Sequence, residues 1–304
     1  MKKLIAFRVL LFVLITFFTF SYTAFADGGL IKIADNVYSY ADVKQGSPAN
    51  SFGANAGIVI GEKGILVIDT LVSAKEAQRF IRDIRAVSDK PIRYVVNTHS
   101  HLDHTFGNSE FEKLGAIIIS HENCKQNMEK LGEATLKNAK VYGLTEKDLE
   151  GTAIAYPALT FSDRMEIDLG NQKVELVFHG ASHTNDSIMV CLPDKHLVFA
   201  GDILFTSYHP FMADGDIDGW IKVLDHIASM DAVTIIPGHG PVSGKQDIEA
   251  MKNYLITFDK KAKELAANSV DVAQIVSEMK KSLPVRAEGD SMIPANIQMK
   301  YLKR

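Results

Sequence analysis

The stretch His99-Ser100-His101-Leu102-Asp103-His104 places three imidazoles and one carboxylate within six consecutive residues. It follows Ile92-Arg93-Tyr94-Val95-Val96-Asn97, an apolar run that predicts a buried strand. Donors on a loop that leaves a strand are carried by a rigid scaffold yet can converge on one point. Imidazole nitrogens and carboxylate oxygens suit zinc and similar divalent ions. The chain has only 10 His in 304 residues, so this density argues for a metal centre over a polar loop that is His-rich by chance.

Three later donors extend the pattern. His183 lies in Gly180-Ala181-Ser182-His183-Thr184. Asp202 comes just after the apolar run Leu197-Val198-Phe199-Ala200, and His239 just after Val233-Thr234-Ile235-Ile236. Each therefore sits at the end of a predicted strand or in the loop beyond it. Strand ends on one rim of a sheet can meet, and the neighbouring glycines allow close backbone approach. A lone His or Asp in such a place is commonly structural; the ordered set is what argues for one shared centre.

This HxHxDH motif, followed by separate His, Asp and His, resembles the metallo-β-lactamase superfamily of metal-dependent hydrolases, over about Asn55 to His239. The resemblance implies an α/β fold, an αββα sandwich of two mixed sheets flanked by helices. It implies that His99, His101 and His183 hold one metal, that Asp103, His104 and His239 hold a second, and that Asp202 bridges them. Two zinc ions are the implied cofactor, with iron or manganese fitting the same donors. Leu66-Val67-Ile68-Asp69-Thr70 matches a family strand that ends in an Asp, so Asp69 is expected to orient a ligand His. The implied chemistry is hydrolysis of a small carbonyl compound (β-lactam, lactone, ester or thioester) by water activated between the metals. Asp103 would help to orient that water. Tyr208 follows Asp202 closely enough to line the cleft and to donate a hydrogen bond to an oxyanion, whereas His209 reads as substrate-facing or structural.

Departures from the family's subgroups narrow the reading. β-Lactamases with a Cys ligand carry it where this chain has Asp202, and Cys191 stands eleven residues too early. They also place a Lys three residues further on, where this chain has Phe205. A second β-lactamase group shares HxHxDH but generally lacks the bridging Asp. The glyoxalase II type has the full ligand set but usually no export signal. The segment from Gly201 to Trp220 is similar to a broad group of exported hydrolases. A β-lactamase proper is the main alternative; a phosphodiesterase and a non-catalytic metal-binding protein are weaker ones. Flavin-linked di-iron proteins generally have Glu where His101 stands, and they need a further domain for which this chain has no room.

Residues 1–26 read as a secretory signal. Lys2, Lys3 and Arg8 precede an apolar run from Val9 to Phe20, and Ala24-Phe25-Ala26 fits a cleavage site. The run is short for a membrane anchor, so a periplasmic or secreted product without a stable membrane anchor is expected, with 27–304 forming one hydrolase domain that ends in a helical extension. Loss of those three basic residues takes the formal charge from -4 to -7, which disfavours nucleic acid as a partner and leaves a small molecule. Cys124 and Cys191 are read as two buried free thiols, since nothing places them together.

Along the chain, Ala56–Ile60 and Ile65–Asp69 predict a hairpin, and Ser73 to Val87 an amphipathic helix capped by Ser73. Strands are predicted at Ala116–Ser120, Arg164–Leu169, Lys173–Phe178, Ser187–Leu192, His196–Ala200 and Val233–Ile236. Helices are predicted near Asn108–Leu114, over Glu122 to Lys140, Asp218 to Ser229, Lys245 to Asn268 and Val270 to Leu283. Trp220 reads as core. Phe52 reads either as the apolar tip of a loop over the cleft or as a residue packed on the sheet.

Overall fold

The computed structural model describes residues 29–43 and 46–302. The expected export segment, 1–26, lies outside the described residues, and no described helix is long and apolar enough to cross a membrane. Among the described residues, seven strands form one mixed sheet in sequence order: β1 (Ile31–Ala34), β2 (Val37–Ser39), β3 (Gly57–Ile60), β4 (Ile65–Ile68), β5 (Ile92–Val96), β6 (Ile117–His121) and β7 (Leu159–Phe161). The first four pair antiparallel and β4 to β7 pair parallel. The second sheet contains β8 (Arg164–Asp168), β9 (Lys173–Phe178), β10 (Ile188–Leu192), β11 (Leu197–Phe205) and β12 (Thr234–His239), in the order β12-β11-β10-β9-β8. Only β11 and β12 pair parallel there.

The near-continuous apolar runs are explained by burial on both faces of each sheet. Side chains alternate across a strand, so Val59, Leu66 and Ile68 point to the second sheet and meet Leu176, Val190 and Phe199. Ile58, Ile65 and Val67 point the other way, against Phe80 and Ile84 of helix α1 (Ala74–Val87). Ser73 caps α1 as expected, its hydroxyl accepting from the Glu76 N–H at 3.3 Å. The outer face of the second sheet carries Met189, Val198 and Ile235 and packs on Trp220, Met251 and Phe258. The result is the expected αββα sandwich.

Short helices α2 (Leu102–Thr105) and α3 (Asn108–Glu112) follow β5. The expected helix over Glu122 to Lys140 is broken. It runs as α4 (Glu122–Asn127), a wide turn at Met128–Gly132, α5 (Glu133–Lys137) and a tight turn at Ala139–Tyr142. The covering helices of the second half are α6 (Ile217–Ser229), α7 (Lys245–Ala266) and α8 (Val272–Ser282), close to the expected bounds. A last helix, α9 (Met292–Asn296), continues as a wide turn through Ile297–Tyr301; no periodicity had marked it. Strands β1, β2 and β7 also escaped the sequence reading: they have three or four residues each, too few to show a period. Both cysteines are free and buried.

β11 runs five residues past the expected end at Ala200. At that point the backbone bulges: Gly201 has φ +51°, and a Cβ there would stand 2.8 Å from the Thr98 side chain. Glycine is what lets the two sheets close at this point, carrying Asp202 beside the His99 loop. Phe80 is fully buried, with Tyr40 at 5.1 Å and Phe111 at 5.9 Å between ring centroids. Phe80→Ala is expected to destabilise the fold by about 3–5 kcal/mol; urea denaturation followed by circular dichroism measures it.

Candidate metal centre

The loop after β5 enters as Thr98-His99 and turns into α2 at His101, so Asp103 and His104 lie in its single turn. A buried polar net behind it fixes the backbone. The Thr70 N–H and hydroxyl donate to the His104 carbonyl at 2.9 and 3.2 Å, and the Asn97 amide adds a third donor at 3.3 Å. Asn97 and Asn108 also pair with each other at 2.9 Å in both directions. Sequence reasoning missed this net, because single Asn and Thr residues carry no metal signature.

Asp69 has the expected place and does more than expected. Its carboxylate lies 2.8 Å from His104 Nδ1 and accepts from the Thr98 N–H and hydroxyl, each at 2.7 Å. Since a carboxylate only accepts, His104 carries its proton on Nδ1 and turns a lone pair on Nε2 inward. The Thr98 hydroxyl, having given its proton to Asp69, accepts from His99 Nδ1 at 3.1 Å. One buried carboxylate thereby sets the ring orientation of two histidines. Asp69 itself holds φ +58°, an uncommon backbone state for a non-glycine residue.

The seven expected ligands come together in two sets. His99, His101, His183 and Asp202 lie within one ligand-sized cluster, and Asp103, His104 and His239 within another. Asp202 faces both. Its Oδ2 is 3.3 Å from His183 Nε2 and 3.7 Å from His99 Nε2, while its Oδ1 is 3.2 Å from His104 Nε2 and 3.6 Å from His239 Nε2. Asp103 Oδ2 completes the second set, 3.4 Å from His239 Nε2 and 3.5 Å from His104 Nε2. His183 Nε2 and His101 Nδ1 face each other at 3.0 Å. His99 Nε2, His104 Nε2 and Asp202 Oδ1 are buried with no hydrogen-bond partner. Buried polar atoms are normally satisfied, and inward-facing lone pairs without donors are what divalent cations complete. The donor set fits two such ions.

The electrostatics point the same way. Burial pushes His183 down to about 3 and, with neighbouring imidazoles, holds His99 well below the usual histidine range. Burial also opposes charge on His239 and His104, but there the carboxylates win: Asp202 and Asp103 lift His239 to about 9, and with Asp69 they raise His104 well above its ordinary value. Asp202 stays ionised although burial opposes it, chiefly because His104 and His239 carry positive charge beside it. The cavity thus draws positive charge to its centre.

The surroundings of the ligands revise several expectations. The Tyr208 hydroxyl donates to the Val43 carbonyl at 3.0 Å, so its one proton is directed away from the ligand sets. An oxyanion-donor role would require that bond to break; as placed, Tyr208 packs its ring 5.4 Å from His239. His209 is structural: Nδ1 pairs with the Tyr254 hydroxyl at 2.8 Å. Phe205 stacks flat on His239, with centroids 5.1 Å apart and planes 1° apart. Trp220 is core, as read, donating to the Ile203 carbonyl at 2.8 Å while its ring meets His183 edge-on. Phe52 packs neither on the sheet nor free at a tip; it joins Leu102 and Leu149 around Val72 and Leu144. Asp214, not singled out from sequence, places a carboxylate oxygen 3.1 Å from His101 Nε2.

The comparisons with known proteins follow the same line. Residues 50–239, more than half of the chain, match the family model described as the metallo-beta-lactamase superfamily. The chain is 26% identical over 221 residues to a linear primary-alkylsulfatase of Pseudomonas sp. (strain ATCC 19151), covering 62% of this chain and 42% of that protein. It is 22% identical over 231 residues to a type 2 metallo-beta-lactamase of Bacteroides fragilis, covering 74% of this chain and 84% of that protein. The alpha subunit of 2,4-dinitroanisole O-demethylase from Nocardioides sp. (strain JS1661) is 23% identical over 193 residues, with 62% of this chain and 53% of that protein covered. The chain therefore spans only about half the length of the alkylsulfatase and the demethylase subunit. Among solved structures, a metallo-beta-lactamase from Pontibacter korlensis superposes with a TM-score of 0.60 at 20% identity, covering 75% of this chain and 98% of that one. A sec-alkyl sulfatase superposes at 0.65 with 16% identity, over 90% of this chain and 50% of that one. With its His/Asp motif, sandwich and family match in agreement, the chain belongs to the metallo-beta-lactamase superfamily.

Proposed function

We propose that this enzyme is a dinuclear zinc hydrolase of small ester-like molecules, with lactones, esters and thioesters as its substrate class. The observation that carries the reading is the placement of Asp202, one carboxylate oxygen toward each histidine set. A single-ion site has no use for that division. Divalent ions held by these side chains would supply a water of near-neutral pKa and a Lewis acid for the scissile group.

The chain's own residues account for the rest. Asp69 and Thr98 keep His104 and His99 in the ring orientation that turns Nε2 inward. Asp103 is the more exposed of the two carboxylates in the clusters, at 7%, and His104 and His239 keep it ionised against the cost of burial. It can accept a proton from the attacking water and return it to the leaving oxygen, sulfur or nitrogen. Phe205, Phe211 and Leu102 supply apolar surface at the centre, and an apolar surrounding strengthens every charge interaction inside it.

A β-lactamase activity is the second reading, supported by the likeness to the Bacteroides fragilis enzyme over 84% of its length. Phe205 weighs against it: the ring stacked on His239 offers no cation to a substrate carboxylate. We also propose export from the cytoplasm, on the strength of the basic start, the apolar run to Phe20 and Ala24-Phe25-Ala26.

The deciding experiment is turnover by zinc-loaded protein of a chromogenic cephalosporin beside a panel of aryl esters, lactones and thioesters. Ester or lactone turnover without cephalosporin turnover is expected; the reverse selects the β-lactamase reading, and turnover of neither refutes the substrate class. Asp103→Ala is expected to lower kcat by about 10²–10⁴-fold with an unchanged circular dichroism spectrum, and near-normal turnover by this variant would refute its role. Elemental analysis is expected to find two zinc equivalents in the wild type and fewer in Asp202→Ala. Asp69→Asn, which touches no ion, is expected to cost about 10–100-fold in zinc affinity or activity, read by chelator competition.

A further inference from the structure

The C-terminal segment lies beyond the 50–239 match to the family, yet it reaches the metal centre through one loop. That loop, residues 205–215, carries Phe205 and Tyr208 against His239, Phe211 with its ring 5.8 Å from His101, and Asp214 on His101 Nε2 at 3.1 Å. It has no regular secondary structure after Phe205, so its shape depends on what holds it.

The C-terminal segment does so at four places. Arg286 donates to the carbonyls of Phe205 and Tyr208. The Ala287 N–H donates to the Ser207 carbonyl at 2.9 Å, and the His209 N–H donates back to the Glu288 carbonyl at 2.9 Å. Asn296, fully buried, uses both ends of its amide. Its Oδ1 accepts from the Met212 N–H at 2.6 Å and its Nδ2 donates to the Pro210 carbonyl at 2.8 Å, bracketing Phe211. Lys300 donates to the Gly215 carbonyl at 2.5 Å. Asp214 therefore sits between two anchors, Asn296 on one side and Lys300 on the other.

Resting on the reading that His99, His101 and His183 hold an ion, we propose that the segment Arg286–Lys300 is the positioning element of that ion's site. Asn296 and Lys300 are its positioning residues, acting through Asp214 on His101. The carboxylate of Asp214 accepts the Nε2 proton of His101, which leaves Nδ1 as the nitrogen turned toward His183. The Asp214 side chain is 57% exposed, and an exposed ion pair on a free loop orients little. The buried amide of Asn296 and the ammonium of Lys300 turn that weak contact into a fixed one.

The test is zinc binding by the metal-free full chain, measured by chelator competition, for the wild type, Asp214→Ala, Lys300→Met, Asn296→Ala and the double variant Asp214→Ala/Lys300→Met. The wild type is expected to take up two equivalents. Asp214→Ala is expected to weaken one of them by about 10–100-fold and leave the other unchanged. Lys300→Met and Asn296→Ala are expected to weaken the same equivalent, and the double variant to bind no more weakly than Asp214→Ala alone. Additive losses in the double variant overturn the proposal, as does unchanged affinity in Asp214→Ala. Should Asn296→Ala fail to fold, Lys300→Met, at the protein edge, decides the matter by the same criterion. A wild type that binds no zinc overturns the metal reading and this inference with it; a wild type with two equivalents and unaffected variants overturns the inference alone.

Discussion

One carboxylate, Asp202, has to face two groups of imidazoles at once, and the surrounding fold is arranged to let it. It is buried, and an ionised carboxylate in an apolar interior is costly unless charge and hydrogen-bond donors surround it. It must therefore stand where the two halves of the sandwich meet. β11 delivers it there by bulging at Gly201, past Thr98 of the first half. β12, parallel to β11, brings Gly238 so near that a Cβ would lie 1.8 Å from Asp202 Oδ1. Glycine at both places follows from the position of the carboxylate.

The charge pattern of the cavity follows from the same constraint. Asp202, Asp103 and Asp69 lie within one buried volume, and their mutual repulsion needs compensation. The same carboxylates raise His104 and His239 above the usual histidine range, and positive charge there supplies part of it. Divalent cations held by this cluster would replace those protons at the same nitrogens, so proton and metal would compete for one set of atoms. His99 and His183, which burial holds neutral, would need no proton removed to bind one. The cluster thus joins histidines already poised to bind with histidines that balance charge.

Much of this was legible in the sequence. The HxHxDH stretch and the three later donors name all seven side chains that the fold gathers into the two clusters, because metal ligation needs particular atoms and few residue types have them. The runs of Val, Ile and Leu marked β3, β4, β5 and β10, since strands covered on both faces must be apolar throughout. The groups that hold the ligands were less visible. Asp69 was readable at a strand end, but Thr98, Asn97 and Asn108 act through hydrogen bonds that any polar residue could make, and Asp214 approaches His101 from more than a hundred residues away. The role first read for Tyr208 came from its nearness to Asp202 in sequence. The direction of its hydroxyl was decided by Val43, whose carbonyl no local pattern could place there.

The rim of the centre sets a second constraint, opposed to the first. Its floor is charged, but Phe205 and Tyr208 lie against His239 and Phe211 against His101, while Leu102 stands between His101 and Asp103 in sequence and packs with Phe52. Aromatic rings against imidazoles lower the local dielectric and shed water, which strengthens the pull between the carboxylates and any cation they hold. The backbone at Ser51 and Phe52 is held in the left-handed region, at φ +60° and +55°, and the Ser51 hydroxyl accepts from the Val72 N–H at 3.0 Å to keep it so. Such residues persist only where their surroundings over-determine them. At Phe52 that surrounding is the apolar cluster of Val72, Leu144, Leu102 and Leu149, so the strained backbone is fixed by packing on the residue that stands between His101 and Asp103 in sequence.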